Sequence, residues 1–475
     1  ICFVGIFLLL PAATAGIYQE KEGFLYLIIG LACMLIGFWG RRRKPKSSVF
    51  YSKEGFAAVA LSWIILSLIG ALPMYLTGEF PSYIDALFET ISGFTTTGSS
   101  ILSDVETLSR GTAFWRCFTH WIGGMGVLVF IMAVMPLSDS SSMHLMRAES
   151  PGPAVGKLVP KVKTTAMILY GIYVVFTVIE IIALLIAGMP LFDSMTLTFG
   201  TVGTGGFGLL NSSIASYSTA VQIIITVFMI ICSINFTVYY MFLIKRPKEA
   251  LMCEEMRYYL LIVFGSALLI AFNIRASFAS FGKAFQQAIF QVASVISTTG
   301  FATADFNLWP EFSRMILVLL MFVGACAGST GGGFKVSRLI IMVKSVRNEI
   351  MSVTHPRSVQ KVHMDGRRIP DNVVKTVLCY LAGYVVILIV SVLLISLDNF
   401  DMTTNFTAVM ATFNNVGPGL NRVGPTGNFG GFSVLSKLVL MFDMLVGRLE
   451  LYPMLVIFAP GLWRIHPHRH VGKVQ

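Results

Sequence analysis

The sequence predicts an all-α polytopic membrane protein with four pseudo-symmetric helix–pore-loop–helix repeats around one central pore, plus two N-terminal transmembrane helices. Three observations lead there: an apolar composition, an alternation of basic and acidic loops, and a fourfold internal repeat. Apolar residues make up 55% of the 475 positions and charged residues 12%, whereas an ordinary soluble domain carries about a quarter charged. Apolar runs around 24–39, 56–76, 118–137, 166–189, 220–244, 259–274, 314–327, 376–397 and 433–463 are long enough, or nearly so, to cross roughly 30 Å of hydrocarbon.

The net charge of +11 does not describe a nucleic-acid face. Of the 35 Lys and Arg, 26 fall in 41–53, 147–163, 245–257, 335–375 and the tail after Trp463. These are alternate loops, so the positive-inside rule places them in the cytoplasm. Between Gly78 and Arg110 stand Glu79, Asp85, Glu89, Asp104 and Glu106, which reads as an anionic outer mouth that would concentrate cations. The seven cysteines show no CxxC spacing and read as reduced packing residues. The first apolar run, Ile1 to Ala15, reads as a truncated membrane helix rather than a signal-peptide core.

Repetition sets the organisation. Residues 1–45 form the two N-terminal helices, 51–140 repeat one, 160–246 repeat two, 255–350 repeat three with a broken inner helix, 373–463 repeat four, and 464–475 a cytoplasmic tail. Each repeat carries a half-length helix ending in small polar residues and a glycine: Thr95-Thr96-Thr97-Gly98, Gly203-Thr204-Gly205-Gly206, Ser297-Thr298-Thr299-Gly300 and Asn414-Asn415-Val416-Gly417. In the second, Thr201-Val202-Gly203 offers a competing register. Thirteen positions separate Asp85 from Gly98 and likewise Asp193 from Gly206, which favours Gly206.

Helices this short must dip in and return, and irregular backbone at membrane depth is tolerated only where it is buried in protein or lines a water-filled cavity. Such a turn can aim carbonyls at a cation and replace its hydration shell, with the half-helix's negative end behind it. Glycine fits because the turn needs unusual dihedrals and four chains converge. Threonine hydroxyls can coordinate or brace. Close helix packing is the alternative use of such segments, but it does not explain four copies at matching places.

Two further segments bear on control. Gly324-Ala325-Cys326-Ala327-Gly328-Ser329-Thr330-Gly331-Gly332-Gly333 cannot hold a continuous helix, since each interior glycine costs about 1 kcal/mol relative to alanine. Arg448 lies in the last apolar segment, where a guanidinium is costly. A flexible loop of Gly324, Gly328, Ser329, Thr330, Gly331, Gly332 and Gly333 facing Arg448 reads as a gate; a packing kink, with Arg448 bound to Glu450, Asp443 or helix carbonyls, is the alternative. Trp121 to Gly126 reads as a close helix contact, His120 as a hydrogen-bonded helix residue, and the histidines after Ile465 as part of a solvated tail.

Together the four turns, the glycine-rich break and Gly447-Arg448-Leu449-Glu450 resemble the membrane subunits of the bacterial Trk/Ktr potassium uptake systems, the TrkH family most of all, from about Tyr51 to Pro460. The resemblance implies a homodimer in the bacterial plasma (inner) membrane, a pore in each protomer, and gating by a cytoplasmic TrkA-like nucleotide-binding ring. It implies a potassium-binding filter at Thr96, Thr97, Gly98, Thr204, Gly205, Gly206, Thr298, Thr299, Gly300, Asn415, Val416 and Gly417. Gly98, often serine in sodium-favouring plant relatives, implies potassium preference. Asn415 and Val416 depart from the Thr-Thr-Gly pattern.

No phosphate-binding glycine motif follows a strand, so a partner must supply nucleotide sensing, and no organic cofactor is expected. Membrane lipid is an expected partner; nucleic acid is not. Clustered catalytic residues, which an enzyme would need, are not found. A gated potassium channel therefore leads. A symporter coupled to protons or sodium, the alternative, would use intramembrane carboxylates, of which Glu180 and Asp443 are the main candidates.

Overall fold

The computed structural model describes residues 1–42, 52–126, 162–355, 357 and 360–460. The expected tail, most of the basic connections 41–53 and 147–163, and the end of repeat one with the second half of the apolar run 118–137 lie outside them. Five helices among the described residues are long and apolar enough to cross a membrane, six if one bent pair counts as a span.

Two helices, α1 (Cys2–Ile17) and α2 (Gly23–Arg41), form the N-terminal hairpin. Gly5 and Gly37 let them close up: a Cβ on Gly37 would lie 2.6 Å from the Cβ of Cys2. Glu20, after the first helix, accepts the main-chain N–H groups of Arg110 at 2.7 Å and Gly111 at 2.9 Å. That carboxylate satisfies the open start of the repeat-one inner helix.

Four units follow, each with an outer helix, a half-length helix and an inner helix. Repeat one has α3 (Ser52–Leu76), α4 (Tyr83–Phe94) and α5 (Arg110–Gly124); repeat two has α6 (Val162–Ile186), α7 (Leu191–Val202), and an inner helix split into α8 (Thr219–Cys232) and α9 (Phe236–Leu243). A short α10 (Pro247–Leu251) leads to repeat three: α11 (Glu254–Ile274), α12 (Phe281–Ile296), and an inner helix split into α13 (Glu311–Val323) and α14 (Val336–Thr354). Repeat four has α15 (Asp371–Ile395), α16 (Met402–Phe413), α17 (Val434–Leu449) and α18 (Leu451–Val456).

Hydroxyl and carboxylate caps start most of the half-length and inner helices. Ser82, Ser109, Ser218, Ser280, Asp401 and Ser433 each accept a first-turn N–H, removing donors that would otherwise stay unsatisfied.

The units close into a ring. Inner helix α5 packs on α7, α8 on α12, α13 on α16, and α17 back on α4, so each repeat leans on the half-length helix of the next. Two features differ from expectation. The run 220–244, read as continuous, bends by 88° between α8 and α9, because Asn235 caps a new helix by accepting the Thr237 N–H at 2.9 Å. The third half-length helix, expected from about 285 to 297, starts a turn earlier as α12, at the cap Ser280.

Candidate functional site

Each half-length helix ends in the same way. Thr96, Thr204, Thr298 and Asn415 have φ of 55°, 55°, 59° and 55°, and Gly98, Gly206, Gly300 and Gly417 have 79°, 81°, 84° and 98°. Around each non-glycine position the N–H groups fold back in one pattern: Thr96 to Gly93 and Thr97 to Ser92, Thr204 to Thr201 and Gly205 to Gly200, Thr298 to Val295 and Thr299 to Ser294, Asn415 to Thr412 and Val416 to Ala411. This is a Schellman-type helix end. Left-handed backbone is costly for a β-branched residue, and three threonines sharing it indicate a strain kept for function. Gly206, not Gly203, is the counterpart of Gly98, because Gly203 still has right-handed φ of −73°.

The turns interlock. A Cβ on Gly98 would lie 2.1 Å from the Gly205 carbonyl oxygen; on Gly206, 1.8 Å from Thr299 O; on Gly300, 2.2 Å from Val416 O; and on Gly417, 2.7 Å from Thr97 O. Each glycine Cα therefore sits against the carbonyl of the neighbouring repeat, and the sequence closes after four steps. Only glycine permits this approach.

All twelve expected filter residues thus come together. The carbonyl oxygens of Thr96, Thr97, Thr204, Gly205, Thr298, Thr299, Asn415 and Val416 accept no hydrogen bond among the described residues, although every one of these residues is buried. Buried carbonyls in native proteins are nearly always paired, so eight unpaired ones in one ring mark a place where water or an ion completes the pairing. The side chains mostly brace instead: Thr97 Oγ1 lies 2.8 Å from Thr95 Oγ1, Thr299 Oγ1 lies 2.7 Å from Ser297 Oγ, and Asn415 donates to Thr97 Oγ1 and to the Met444 carbonyl, each at 2.9 Å.

The glycine-rich break lies at the inner end of this ring. Gly332 N–H donates to Thr298 Oγ1 at 2.6 Å, and Cβ atoms on Gly331 and Gly332 would lie 2.8 and 2.6 Å from the Ser297 and Asn414 carbonyls. Gly324 and Gly333, with φ of 69° and 79°, cross at the neck of the loop, where a Cβ on Gly324 would lie 2.6 Å from the Gly333 Cα. The excursion 325–332 therefore leaves and rejoins the helix at almost one point.

Its polar groups are paired with the break in repeat two. Cys326 N–H donates to Ser233 O at 3.1 Å, Phe236 N–H to Gly328 O at 3.0 Å, and Thr330 Oγ1 to Cys232 O at 3.1 Å. Glu255 accepts Ala327 N–H at 2.7 Å and Ser337 N–H at 3.0 Å. Arg448 donates to Thr330 O at 2.8 Å and to the Gly124 carbonyl at 2.7 Å, and also reaches Gly123 O. Lys335 reaches Gly331 O. Glu450 pairs with Arg338, and Asp443 accepts from Ser391 at 2.8 Å.

One expectation needs correction. Glu89 and Asp85 do not belong to an open anionic mouth: Glu89 is 1% exposed and paired with Arg116 at 2.6 Å, and Asp85 is 8% exposed and paired with Lys437 at 2.6 Å. The outer acids Asp104 and Glu106 instead hold Asn211 of repeat two. Asp104 lies below the usual carboxylate range because the Asn211 amide and the Glu106 N–H donate to it. Of these partners, Lys335, Glu255, Arg338 and Lys437 were not singled out from sequence. Their signal is a charge inside or beside an apolar helix.

Apolar spans enclosing a ring of four half-length helix ends define an integral membrane protein of the cation-transporting class. The TrkH family profile, described as cation transport protein, matches residues 27–465, and the chain belongs to that family. It is 35% identical over 469 residues to the Trk system potassium uptake protein TrkH of Salmonella typhimurium, covering 96% of both chains. To the TrkG protein of Escherichia coli K12, also named a Trk system potassium uptake protein, it is 31% identical over 460 residues, covering 96% of this chain and 94% of the other. The crystal structure of the potassium transporter TrkH from Vibrio parahaemolyticus superimposes with a TM-score of 0.87 at 31% identity, covering 98% and 97% of the two chains.

The interlocked ring makes a prediction about glycine. Gly206→Ala meets both left-handed φ and a carbonyl at 1.8 Å, whereas Gly78→Ala, at φ 79° with nothing within 4 Å, meets only the dihedral cost. Gly78→Ala should lower stability by about 1 kcal/mol and leave ion uptake near the parental rate. Gly206→Ala should abolish uptake in proteoliposomes or prevent folding; parental uptake by that variant would contradict the close approach.

Proposed function

We infer that this chain takes potassium into the bacterial cell across the plasma (inner) membrane, along a channel-like path through the ring of four turns. The eight buried, unpaired carbonyl oxygens carry this reading. Carbonyl dipoles supported by the ends of four half-length helices can replace the hydration shell of a cation without a fixed negative charge. Potassium is the ion named for the relatives of similar length. A weakly hydrated ion suits neutral ligands, and release at the inner side needs no protonation. Glu180 and Asp443 lie on an outer helix and in a pair with Ser391, which supports a path lined by main chain rather than proton-coupled symport.

The loop 324–333 is the gate in this reading. It abuts the inner ends of turns three and four, and Arg448 grips it at Thr330. Its narrow neck lets it move without dragging α13 and α14 apart. Inner segment α14 leads straight to the exposed basic residues Arg357, Arg367 and Arg368 and the half-buried Lys361. A cytoplasmic TrkA-like nucleotide-binding ring docking there could pull on the helix that carries the loop, in a homodimer whose protomers each hold one ring.

Three outcomes test these assignments in proteoliposomes. Gly98→Ser adds a side chain to one step of the carbonyl ring and should reduce discrimination of potassium over sodium; parental selectivity would remove Gly98 from the filter. Deleting 325–332, which the crossing of Gly324 and Gly333 allows, should raise rubidium uptake without any regulator, and Arg448→Ala should do so more weakly; a folded deletion variant with the parent's low basal uptake would make the loop structural. Arg367→Glu should reduce co-purification with the regulatory ring, and undiminished binding would move the docking surface elsewhere.

A further inference from the structure

Behind the ring, one junction between repeats is built differently from the other three. Glu89, on the half-length helix of repeat one, accepts from Arg116 Nε at 2.6 Å, from Ser100 Oγ at 2.9 Å and from the Ile101 N–H at 3.0 Å. Ser100 and Ile101 form the extended segment that leaves turn one. Arg116, on inner helix α5, donates through a second nitrogen to the Gly208 carbonyl at 3.0 Å, and its guanidinium carbon lies 3.6 Å from the centre of the Phe207 ring. Phe207 and Gly208 form the segment that leaves turn two. One buried ion pair therefore clamps the exits of both turns.

His120 completes the clamp one helical turn further along α5. Its Nδ1 lies 2.8 Å from Gly93 O and its Nε2 lies 3.2 Å from the Phe207 nitrogen. With Nδ1 protonated, the ring donates to the end of the first half-length helix and accepts from the second exit segment.

At the exits of the turns the other junctions rely on neutral groups; the Asp85–Lys437 pair joins repeats four and one at the first turn of α4 instead. Repeats two and three meet through Ala302 N–H to Ser213 Oγ at 3.1 Å and Ile214 N–H to Ala302 O at 3.0 Å. Three and four meet through Asn421 N–H to Asn307 Oδ1 at 2.9 Å, and four and one through Ser99 Oγ to Gly417 O at 3.0 Å. Counted from the left-handed residue, the counterparts of Glu89 are Leu197, Gln291 and Ala408. Counted from the inner-helix cap, those of Arg116 are Ile225, Leu317 and Leu440. The ion pair is thus a local addition to a fourfold frame.

We propose that Glu89 and Arg116 are positioning residues for cation selectivity, holding turns one and two as the stiff half of the carbonyl ring. The assignment rests on the reading of that ring as the cation path. Charge-assisted hydrogen bonds are shorter and about twice as strong as neutral ones, and a low-dielectric site strengthens them further. Selectivity depends on the number, spacing and field of the carbonyls. A clamp on both exit segments fixes the carbonyls of Thr97 and Gly205, the pair whose junction runs through Gly98. A purely structural ion pair would instead change how much protein folds, and leave the selectivity of the folded protein alone.

The test is rubidium uptake by the full-length protein in proteoliposomes, competed by sodium, with thermal stability measured in parallel. The double variant Glu89→Gln/Arg116→Gln leaves no lone buried charge and should lose about tenfold in discrimination against sodium, the scale of one charge-assisted hydrogen bond. Arg116→Lys keeps the charge but cannot form the fork, and should lose less in the same direction. Ser100→Ala, a mild change that keeps the ion pair, should show the smallest shift and decides the matter if the other two fail to fold. Gly98→Ser runs beside them as a change in the ring itself. Parental selectivity in the clamp variants, with Gly98→Ser shifted, overturns the clamp and leaves the ring standing. Parental selectivity in Gly98→Ser as well overturns the ring reading itself.

Discussion

The structure depends on a constraint set by the bilayer: main-chain polar groups removed from water must find partners, and irregular backbone at that depth survives only against protein, water or an ion. Eight carbonyl oxygens in the four turns have no partner among the described residues, while the N–H groups of the same eight residues fold back onto their own helices. These residues are therefore satisfied as donors and open as acceptors. That asymmetry favours cations and disfavours anions before any side chain is considered. The left-handed φ at Thr96, Thr204, Thr298 and Asn415 is what separates donors from acceptors, because it reverses the chain in one residue.

The same constraint couples the loop to its surroundings. A break in one transmembrane helix would strand donors and acceptors; here the break at Cys232–Phe236 and the loop 324–333 satisfy each other. Glu255, Arg448 and Lys335 take up groups that remain. Moving the loop away from the ring would have to expose these groups to water or exchange their partners. Arg448 binds carbonyls of the loop and of repeat one at once, which ties the loop to the helix that also carries Arg116 and His120.

The turns were legible in sequence because their chemistry is local. A left-handed residue followed by a glycine that must meet a neighbouring carbonyl leaves few residue choices, and those choices recur four times. The glycine-rich loop was legible for the same reason. Charge partners were not. Glu89 and Asp85 looked like outer-mouth acids because Lys437, the partner of Asp85, lies 352 residues away, and Arg116 stands just ahead of the apolar run 118–137 with no local sign of its partner. The bend at Ser233 to Asn235 was masked by the unbroken apolar character of its flanks; its only local sign is an asparagine that caps. Close crossing at Gly123, where a Cβ would lie 1.8 Å from Phe94 O, agrees with the small-residue contact read from Trp121 to Gly126.

The ring of carbonyls is most directly tested by locating the ion. Crystals of the full-length protein grown with rubidium or thallium in place of potassium should show anomalous density inside the ring, coordinated by the carbonyl oxygens of Thr97, Gly205, Thr299 and Val416. Density confined to carboxylates such as Glu180 or Asp443, with none at the four turns at ion concentrations that saturate uptake, would contradict a path built from main-chain carbonyls.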